Sequence, residues 1–129
     1  MLRRRTKGYT KRLGGDVMEN YTIEDLNQAA MQIILHAGDC RKVLNDALNA
    51  VYEDDMAGAE EKLKIAKAEI TEAHRLQTAM IQGTIMDENQ PTSLLFTHAQ
   101  DTLMTINSEL LLVKHMIKLY KKLEDKING

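Results

Sequence analysis

The sequence predicts an all-α protein, an antiparallel three-helix bundle, from its composition and from three runs of regularly spaced apolar residues. The 129-residue chain has one Pro, no Trp and one Phe, whereas residues that favour helices, such as Ala, Leu, Met, Lys and Glu, are plentiful. Each run repeats at alternating intervals of three and four residues, which is the spacing of one buried helix face. The length indicates a single domain.

The first helix is predicted from Tyr21 onward. Thr22 followed by Asp25 has the spacing of an N-terminal capping box. The apolar or small residues of its seam are Ile23, Leu26, Ala30, Ile33, Ala37, Cys40, Leu44, Ala47 and Val51. An unbroken seam of this length indicates one helix packed along its whole extent.

The second and third helices follow after short polar segments. Asp54 or Asp55 can cap the second helix, which Gly83 and the polar stretch 87–91 end. Its seam is Met56, Ala59, Leu63, Ala66, Ile70, Ala73, Gln77 and Met80. The third helix is predicted from about residues 91–93 to Asp125, with the seam Ala99, Leu103, Ile106, Leu110, Val113, Ile117 and Tyr120. Short connections make consecutive helices antiparallel neighbours.

The third helix carries a second heptad-spaced stripe, which a monomeric bundle does not need. It is polar at first and then mostly apolar: His98, Asp101, Thr105, Ser108, Leu112, His115 and Leu119. Two interpretations stay open, a solvated face with incidental leucines and a face that packs against other copies of the chain. If three copies met on a threefold axis, three Asp101 carboxylates would have to become protonated or hold a cation, with Mg²⁺ or Ca²⁺ favoured over Zn²⁺.

His98, Gln100 and Asp101 place a candidate nucleophile, an amide and a carboxylate within one helical turn. His98 and Asp101 are three residues apart and therefore share a helix face. Histidine is partly neutral, and so nucleophilic at nitrogen, near physiological pH. This cluster makes His98 the candidate catalytic residue.

The first 17 residues differ from the rest in charge. They hold six of the 17 Lys and Arg residues and one of the 19 Asp and Glu residues, so residues 18–129 carry a net charge of −7. Such an acidic bundle is a poor candidate for nucleic-acid binding, which requires a basic surface. We therefore divide the chain into a basic N-terminal extension, residues 1–17, and a three-helix domain, residues 18–129.

The basic extension has three interpretations. It lacks an apolar core segment and so is not a secretory signal. It fits a disordered arm that contacts nucleic acid or anionic lipid. We prefer a third interpretation, that it is not native protein, because Gly14-Gly15-Asp16 can be encoded by GGAGGTGAT, a bacterial ribosome-binding sequence at a suitable distance before Met18. Translation would then start at Met18, which the coding DNA or the N-terminal peptide mass decides.

Two further features indicate a soluble, cytoplasmic protein. Cys40 is the single cysteine, which rules out an internal disulfide and fits a reducing compartment. No apolar run approaches the roughly 20 residues that a membrane-spanning helix needs.

Three segments, in order on the three predicted helices, resemble a known family. They are Ala37–Arg41, Glu72–Thr78 and His98–Thr105. Together they are similar to the IIA component of the lactose/cellobiose group of the bacterial sugar phosphotransferase system, over nearly everything from Met18 to the C-terminus. One position departs from the family's pattern, which usually has a histidine directly after the aspartate, where this chain has Thr102.

The resemblance implies a cytoplasmic homotrimer that is a phosphotransferase component with a covalent phosphohistidine intermediate. His98 would accept a phosphoryl group from the phosphocarrier protein HPr and pass it to a cysteine of the IIB component, which is coupled to transport through the membrane IIC component. Asp101 would hold one Mg²⁺ per trimer on the threefold axis, and Gln100 would lie beside His98. The expected sugar is a β-linked disaccharide, of the cellobiose or chitobiose type rather than lactose.

The other histidines are weaker candidates for the phosphoryl acceptor. We interpret His74 as a structural histidine, hydrogen-bonded near the active site, and His36 as an interhelical one, while His115 belongs to the second stripe. The alternatives to a phosphocarrier are a non-catalytic trimeric helical adaptor and a regulatory metal-binding bundle. A pure scaffold would gain from apolar residues at Asp101 and Thr105, which is the feature that disfavours it.

Overall fold

Three long helices dominate the computed structural model, which describes residues 8–12, 15–19, 21–84 and 93–129. Helix α1 spans Ile23–Tyr52, α2 spans Met56–Thr84 and α3 spans Leu94–Asn128. The prediction of a three-helix, all-α domain is confirmed. The polar stretch 87–91 and the first two residues of the predicted start of the third helix, 91–92, lie outside the described residues.

A short two-stranded sheet precedes the helices. Strand β1, Gly8–Arg12, pairs antiparallel with β2, Gly15–Glu19, and β2 contacts α2. The sequence pattern did not indicate these strands. Because Met18 lies in β2, a chain that began there would lack β1 and most of β2.

The first two helices begin at the predicted caps. Thr22 Oγ1 accepts the Asp25 backbone N–H (3.1 Å), and Asp25 Oδ2 accepts the Thr22 N–H (3.0 Å), which completes a capping box. At the next boundary Asp54 has φ 59°, and Asp55 Oδ1 accepts the Gly58 N–H (2.9 Å) at the start of α2. This tight connection makes α1 and α2 antiparallel neighbours.

The predicted seams form the core. The small residues of the seams are fully buried, which lets the helix axes approach closely: Ala30, Ala37, Cys40, Ala47, Ala59, Ala66, Ala73 and Ala99. Larger side chains fill the space between them, with Ile33 and Leu103 wholly inaccessible to solvent. Two predicted seam residues are exposed: Ile23 (51%), because it lies in the first turn of α1, and Tyr120 (37%). Gln77 and Met80, near the end of the second seam, are only partly buried and lie outside the core cluster.

α1 is the central helix of the bundle. It contacts both α2 and α3 extensively, whereas α2 and α3 contact each other less. A cavity of about 460 Å³ therefore opens between α2 and α3, lined by Leu63, Lys64, Lys67, Ile70, Thr71, His74, Asn107, Leu110, Leu111 and Lys114.

Charged pairs at the edges of the core fix the relative rotation of the helices. His36 Nδ1 donates to Glu69 Oε2 across α1 and α2 (2.7 Å), which confirms His36 as an interhelical residue. Arg41 binds Glu109 of α3 through two hydrogen bonds, 2.9 Å from Nε and 2.7 Å from a terminal nitrogen. Because these side chains are partly exposed, each pair adds little to the free energy of unfolding. Their main effect is to favour one relative rotation of the helices.

None of the described helices combines the length and the apolar character that crossing a bilayer demands.

Replacement of Leu103 by Ala should destabilise the bundle strongly. The side chain is fully buried, so its loss removes apolar contacts and leaves a cavity, at a cost of about 2–5 kcal/mol. Urea denaturation followed by circular dichroism measures the change. Leu94→Ala is the matched control, because Leu94 is 85% exposed; equal losses for the two variants would contradict the assigned core.

Two helical glycines should respond oppositely to replacement by Ala. A Cβ on Gly83 would overlap the ring of Tyr21, whose hydroxyl donates to the Ala79 carbonyl (3.1 Å), so Gly83→Ala should cost about 1–3 kcal/mol. A Cβ on Gly38 meets nothing within 4 Å, so Gly38→Ala should raise the free energy of unfolding by about 0.5–1 kcal/mol through helix propensity. Thermal unfolding of both variants checks the signs, and a stabilised Gly83→Ala variant would refute the packing of Tyr21.

Candidate functional site

His98 lies in the second turn of α3, on an exposed surface. It is the fifth residue of the helix, which begins at Leu94. Side chains of a helix point back towards its N-terminus, so the imidazole of His98 extends over the first turn. Its position in the fold therefore depends on how that first turn is held.

Ser93 holds the start of α3 from both sides. Its Oγ accepts the Phe96 backbone N–H (3.0 Å), which is an N-cap interaction. The same hydroxyl donates to Asn27 Oδ1 on α1 (2.5 Å). Ser93 itself is buried, so this pair of bonds fixes the first turn of α3 against the first turns of α1.

A shallow cavity of about 660 Å³ surrounds this junction. Its lining residues come from the starts of α1 and α3: Ile23, Asn27, Ser93, Leu94, Leu95 and His98. Ile23 and Leu94 are exposed apolar side chains at its rim. An open, largely apolar cavity beside an exposed histidine suits contact with another protein better than enclosure of a small molecule.

The second stripe of α3 faces solvent along its whole length. All seven of its residues are exposed, as predicted for a face that the bundle itself does not use: His98, Asp101, Thr105, Ser108, Leu112, His115 and Leu119. The carboxylate of Asp101 forms no hydrogen bond or ion pair with any residue that the structure describes. The stripe is thus available for a partner, with a free acidic group in its polar half.

Thr102, at the position where the family pattern usually has histidine, uses its hydroxyl in a hydrogen bond within α3. Its hydroxyl donates to the His98 carbonyl (2.9 Å), and Thr105 donates in the same way to the Asp101 carbonyl (2.8 Å). Neither hydroxyl is therefore directed at the His98 imidazole. Thr102 therefore places no titratable side chain next to the cluster.

Neither Gln100 nor His74 is among the residues that line the cavity of His98. Gln100 is half-buried and does not line the cavity of His98, because residues two apart on a helix do not face each other. His74 lines the cavity between α2 and α3, next to Asn107. Asn107 is nine residues after His98, or about 13 Å along the helix at 1.5 Å per residue. The roles predicted for Gln100 and His74 beside the acceptor stay predictions.

Cys40 has the properties of a core residue. It is fully buried on α1. Burial first, and then the carboxylates of Glu69 and Glu109, raise the pKa of its thiol to about 11. The thiol therefore stays protonated near neutral pH and is a poor nucleophile, which agrees with the sequence-based interpretation.

Within residues 21–84 and 93–129 no three side chains of His, Cys, Asp or Glu lie close enough together to hold a metal ion. Asp101 contributes one exposed carboxylate. A hard cation at Asp101 would need ligands from other chains, since carboxylate oxygens are the ligands that Mg²⁺ and Ca²⁺ prefer.

Sequence reasoning missed four residues of the site: Ile23, Asn27, Ser93 and Leu94. Ser93 could have been found as a cap, because a serine precedes the first apolar residue of the helix. Asn27 carries no such signal, since it is 66 residues from Ser93. In the sequence, Ile23 and Leu94 look like ordinary apolar residues. Only the fold brings them together as exposed side chains at the rim of one cavity.

The chain matches a model of the family described as "PTS system, Lactose/Cellobiose specific IIA subunit" over residues 28–121. The lichenan-specific phosphotransferase enzyme IIA component of Bacillus subtilis is 35% identical over 102 residues, which are 79% of this chain and 93% of that protein. The lactose-specific EIIA component of Lactococcus lactis is also 35% identical, over 77% of this chain and 94% of the relative.

A solved structure agrees with the fold. It is the IIA(Chitobiose)–HPr complex of the N,N'-diacetylchitobiose branch of the Escherichia coli phosphotransferase system, with a TM-score of 0.68, 28% identity, and coverage of 81% of this chain and 99% of that one. The three-helix architecture, the matched segment and the relatives agree with one another. The chain belongs to the lactose/cellobiose-specific IIA family of the phosphotransferase system.

Proposed function

We propose that this protein is a phosphocarrier whose His98 accepts a phosphoryl group from phospho-HPr and passes it to a cysteine of a IIB component. The observation that carries the proposal is the placement of His98, exposed at the start of α3 beside an open apolar cavity. The solved complex of a IIA protein with HPr supports the donor. The family to which the chain belongs supports the overall activity.

The transfer requires one nucleophilic nitrogen and correct positioning. The lone pair of a neutral ring nitrogen of His98 attacks phosphorus in line, and a P–N bond forms. The bond between phosphorus and the donor breaks, and its electron pair returns to the donor, so no net proton is consumed. Transfer to the IIB thiolate reverses these roles: a P–S bond forms and the electron pair of the P–N bond returns to His98. Such transfers depend on position and charge stabilisation more than on an elaborate base.

The rim of the cavity provides the contact surface for both partners in turn. Ile23 and Leu94 are 51% and 85% exposed, and they flank His98 in the same cavity. Burial of such side chains contributes roughly 25 cal/mol per Å² of apolar surface. A small apolar patch suits transient association, because the carrier must release HPr before it binds IIB.

The proposal includes a homotrimer built on the second stripe of α3. The C-terminal half of that helix exposes large apolar side chains that a monomer would leave in water: Leu111, Leu112, Met116, Leu119, Leu123 and Ile127. The cleft between α2 and α3 gives the α3 of a neighbouring copy a place to pack. Three copies would bring their Asp101 residues together on the axis.

Asp101 supports Mg²⁺ as the ion shared by the trimer. Two carboxylates about 4 Å apart repel by about 4 kcal/mol at an effective dielectric near 20, and the free Asp101 side chain has no internal partner to offset this within the described residues. Three such carboxylates would hold one Mg²⁺, which supplies the neutralising charge at the axis.

The family supports a biological setting for the proposal. We place the protein in the cytoplasm, where it serves a membrane IIC component indirectly and contacts neither the bilayer nor the sugar. A β-linked disaccharide of the cellobiose or chitobiose type is the proposed cargo, although the lichenan- and lactose-specific relatives are equally identical to this chain. The working unit is residues 18–129, with the basic extension outside it.

His98→Ala should abolish phosphoryl acceptance and leave the fold intact, because the side chain is exposed and its loss removes the nucleophile. The protein is incubated with phosphoenolpyruvate, enzyme I and HPr, and peptides are mapped by mass under alkaline conditions that preserve phosphohistidine. His74→Ala is the matched control and should still be labelled on the peptide that contains His98, because His74 lines a different cavity. Labelling of His98→Ala would move the acceptor elsewhere. A folded wild-type protein that takes no label would favour the adaptor or regulatory metal-binding alternative.

Asp101→Leu should strengthen the trimer in the absence of metal, because it removes the axial repulsion. Sedimentation velocity in EDTA, over a dilution series, measures the association. Wild type should gain stability as a trimer on addition of Mg²⁺, whereas Asp101→Leu should not respond. Asp39→Leu, at an exposed carboxylate of α1, is the control. If Asp101→Leu sediments as a monomer while metal-free wild type sediments as a trimer, Asp101 does not lie on the axis.

A further inference from the structure

The side-chain amide of Asn27 uses its oxygen in a hydrogen bond, whereas its nitrogen has no partner among the described residues. Ser93 Oγ accepts the Phe96 N–H and donates its own proton to Asn27 Oδ1 (2.5 Å). That bond identifies the oxygen end of the amide, because a hydroxyl proton must be accepted by the carbonyl oxygen. The nitrogen end is consequently turned away from Ser93.

Asn27 is one of the residues that line the cavity of His98. Asn27 is half-buried and lines that cavity together with His98 and Leu94. Its Nδ2 carries two N–H groups that make no hydrogen bond in the part of the chain that the structure describes. The other side chains of the cavity, apart from Ser93 and His98, are apolar. Asn27 is therefore the amide donor among the residues that line this cavity.

We propose that Asn27 is a further catalytic residue, which donates a hydrogen bond from Nδ2 to an oxygen of the phosphoryl group in transit to and from His98. The inference rests on the proposed phosphocarrier function and adds a residue to it. The phosphoryl oxygens carry the negative charge of the transition state, and a fixed N–H donor stabilises that charge. Ser93 fixes the amide in advance, so no reorientation is required when the phosphoryl group arrives.

Replacement of Asn27 by Asp distinguishes a hydrogen-bond donor to the phosphoryl group from a residue that only stabilises the fold. Aspartate keeps an oxygen that accepts the Ser93 proton, and its charge is favourable near the N-terminus of α3. A purely structural Asn27 would therefore tolerate the change. A donor to the phosphoryl group would not, because the N–H groups are lost and a negative charge replaces them.

The experiment measures the rate of phosphoryl uptake from phospho-HPr and the rate of loss of phosphohistidine for Asn27→Asp, Asn27→Ala and wild type. We expect Asn27→Asp to unfold at or above the wild-type temperature and to take up phosphate at least about tenfold more slowly, the effect of losing a hydrogen bond to a charged group. Asn27→Ala should lose both stability and rate.

Gln28→Glu supplies the matched control for added charge. Gln28 is the next residue of α1, is exposed, and does not line the cavity, so its variant should be labelled at the wild-type rate. Wild-type uptake by Asn27→Asp would overturn the inference and leave the phosphocarrier function standing. Absence of label on His98 in the wild type would instead overturn the proposed function itself. If Gln28→Glu slows phosphoryl uptake equally, added negative charge alone lowers the rate. That result would also refute a specific role for Asn27.

Discussion

The close packing of α1 against both other helices is the constraint on which the rest of the structure depends. Its seam of fully buried residues, among them Ala30, Ala37 and Cys40, is small enough for two neighbouring helices to approach along its length. α2 and α3 contact each other less than each contacts α1. The inward face of α3 therefore packs against α1, and its opposite face stays exposed.

The site is built from this arrangement at one end of the bundle. α1 and α3 start at the same end, so the side chains of their first turns lie together. Two bonds through Ser93 convert that proximity into a fixed geometry, one to the backbone of α3 and one to Asn27 on α1. Phosphoryl transfer needs a positioned nucleophile in an accessible place. A histidine just beyond a well-capped first turn meets both needs without a deep pocket.

α3 combines chemistry and assembly on one face. His98 and Asp101 are three residues apart and about 5–6 Å from each other at Cβ. A phosphoryl group on His98 would add negative charge near a carboxylate that has no internal partner in the described residues. A cation shared by three Asp101 side chains would offset both charges. The proposed metal therefore links the oligomeric state to the energetics of the carrier.

The helices and the reactive cluster could be predicted from the sequence because both depend on local spacing. The seams, the capping box at Thr22 and Asp25, and the pairing of His98 with Asp101 on one face follow from the 3.6-residue period alone. Ile23 shows the limit of that rule, because the period places it in the seam while its position in the first turn of α1 leaves it half in solvent. The strands before α1 also gave no periodic signal.

What only the tertiary structure decided is which distant residues meet at His98. Asn27 and Ser93 are 66 residues apart, and their hydrogen bond exists because α1 and α3 run side by side from the same end. His74 and His98 likewise line different cavities in the single chain, although both lie in segments that resemble the family. Local periodicity by itself determined the helices, their buried faces and the candidate nucleophile. The partners of that nucleophile depend on helix register and rotation, which are set by the packing of side chains far apart in the sequence.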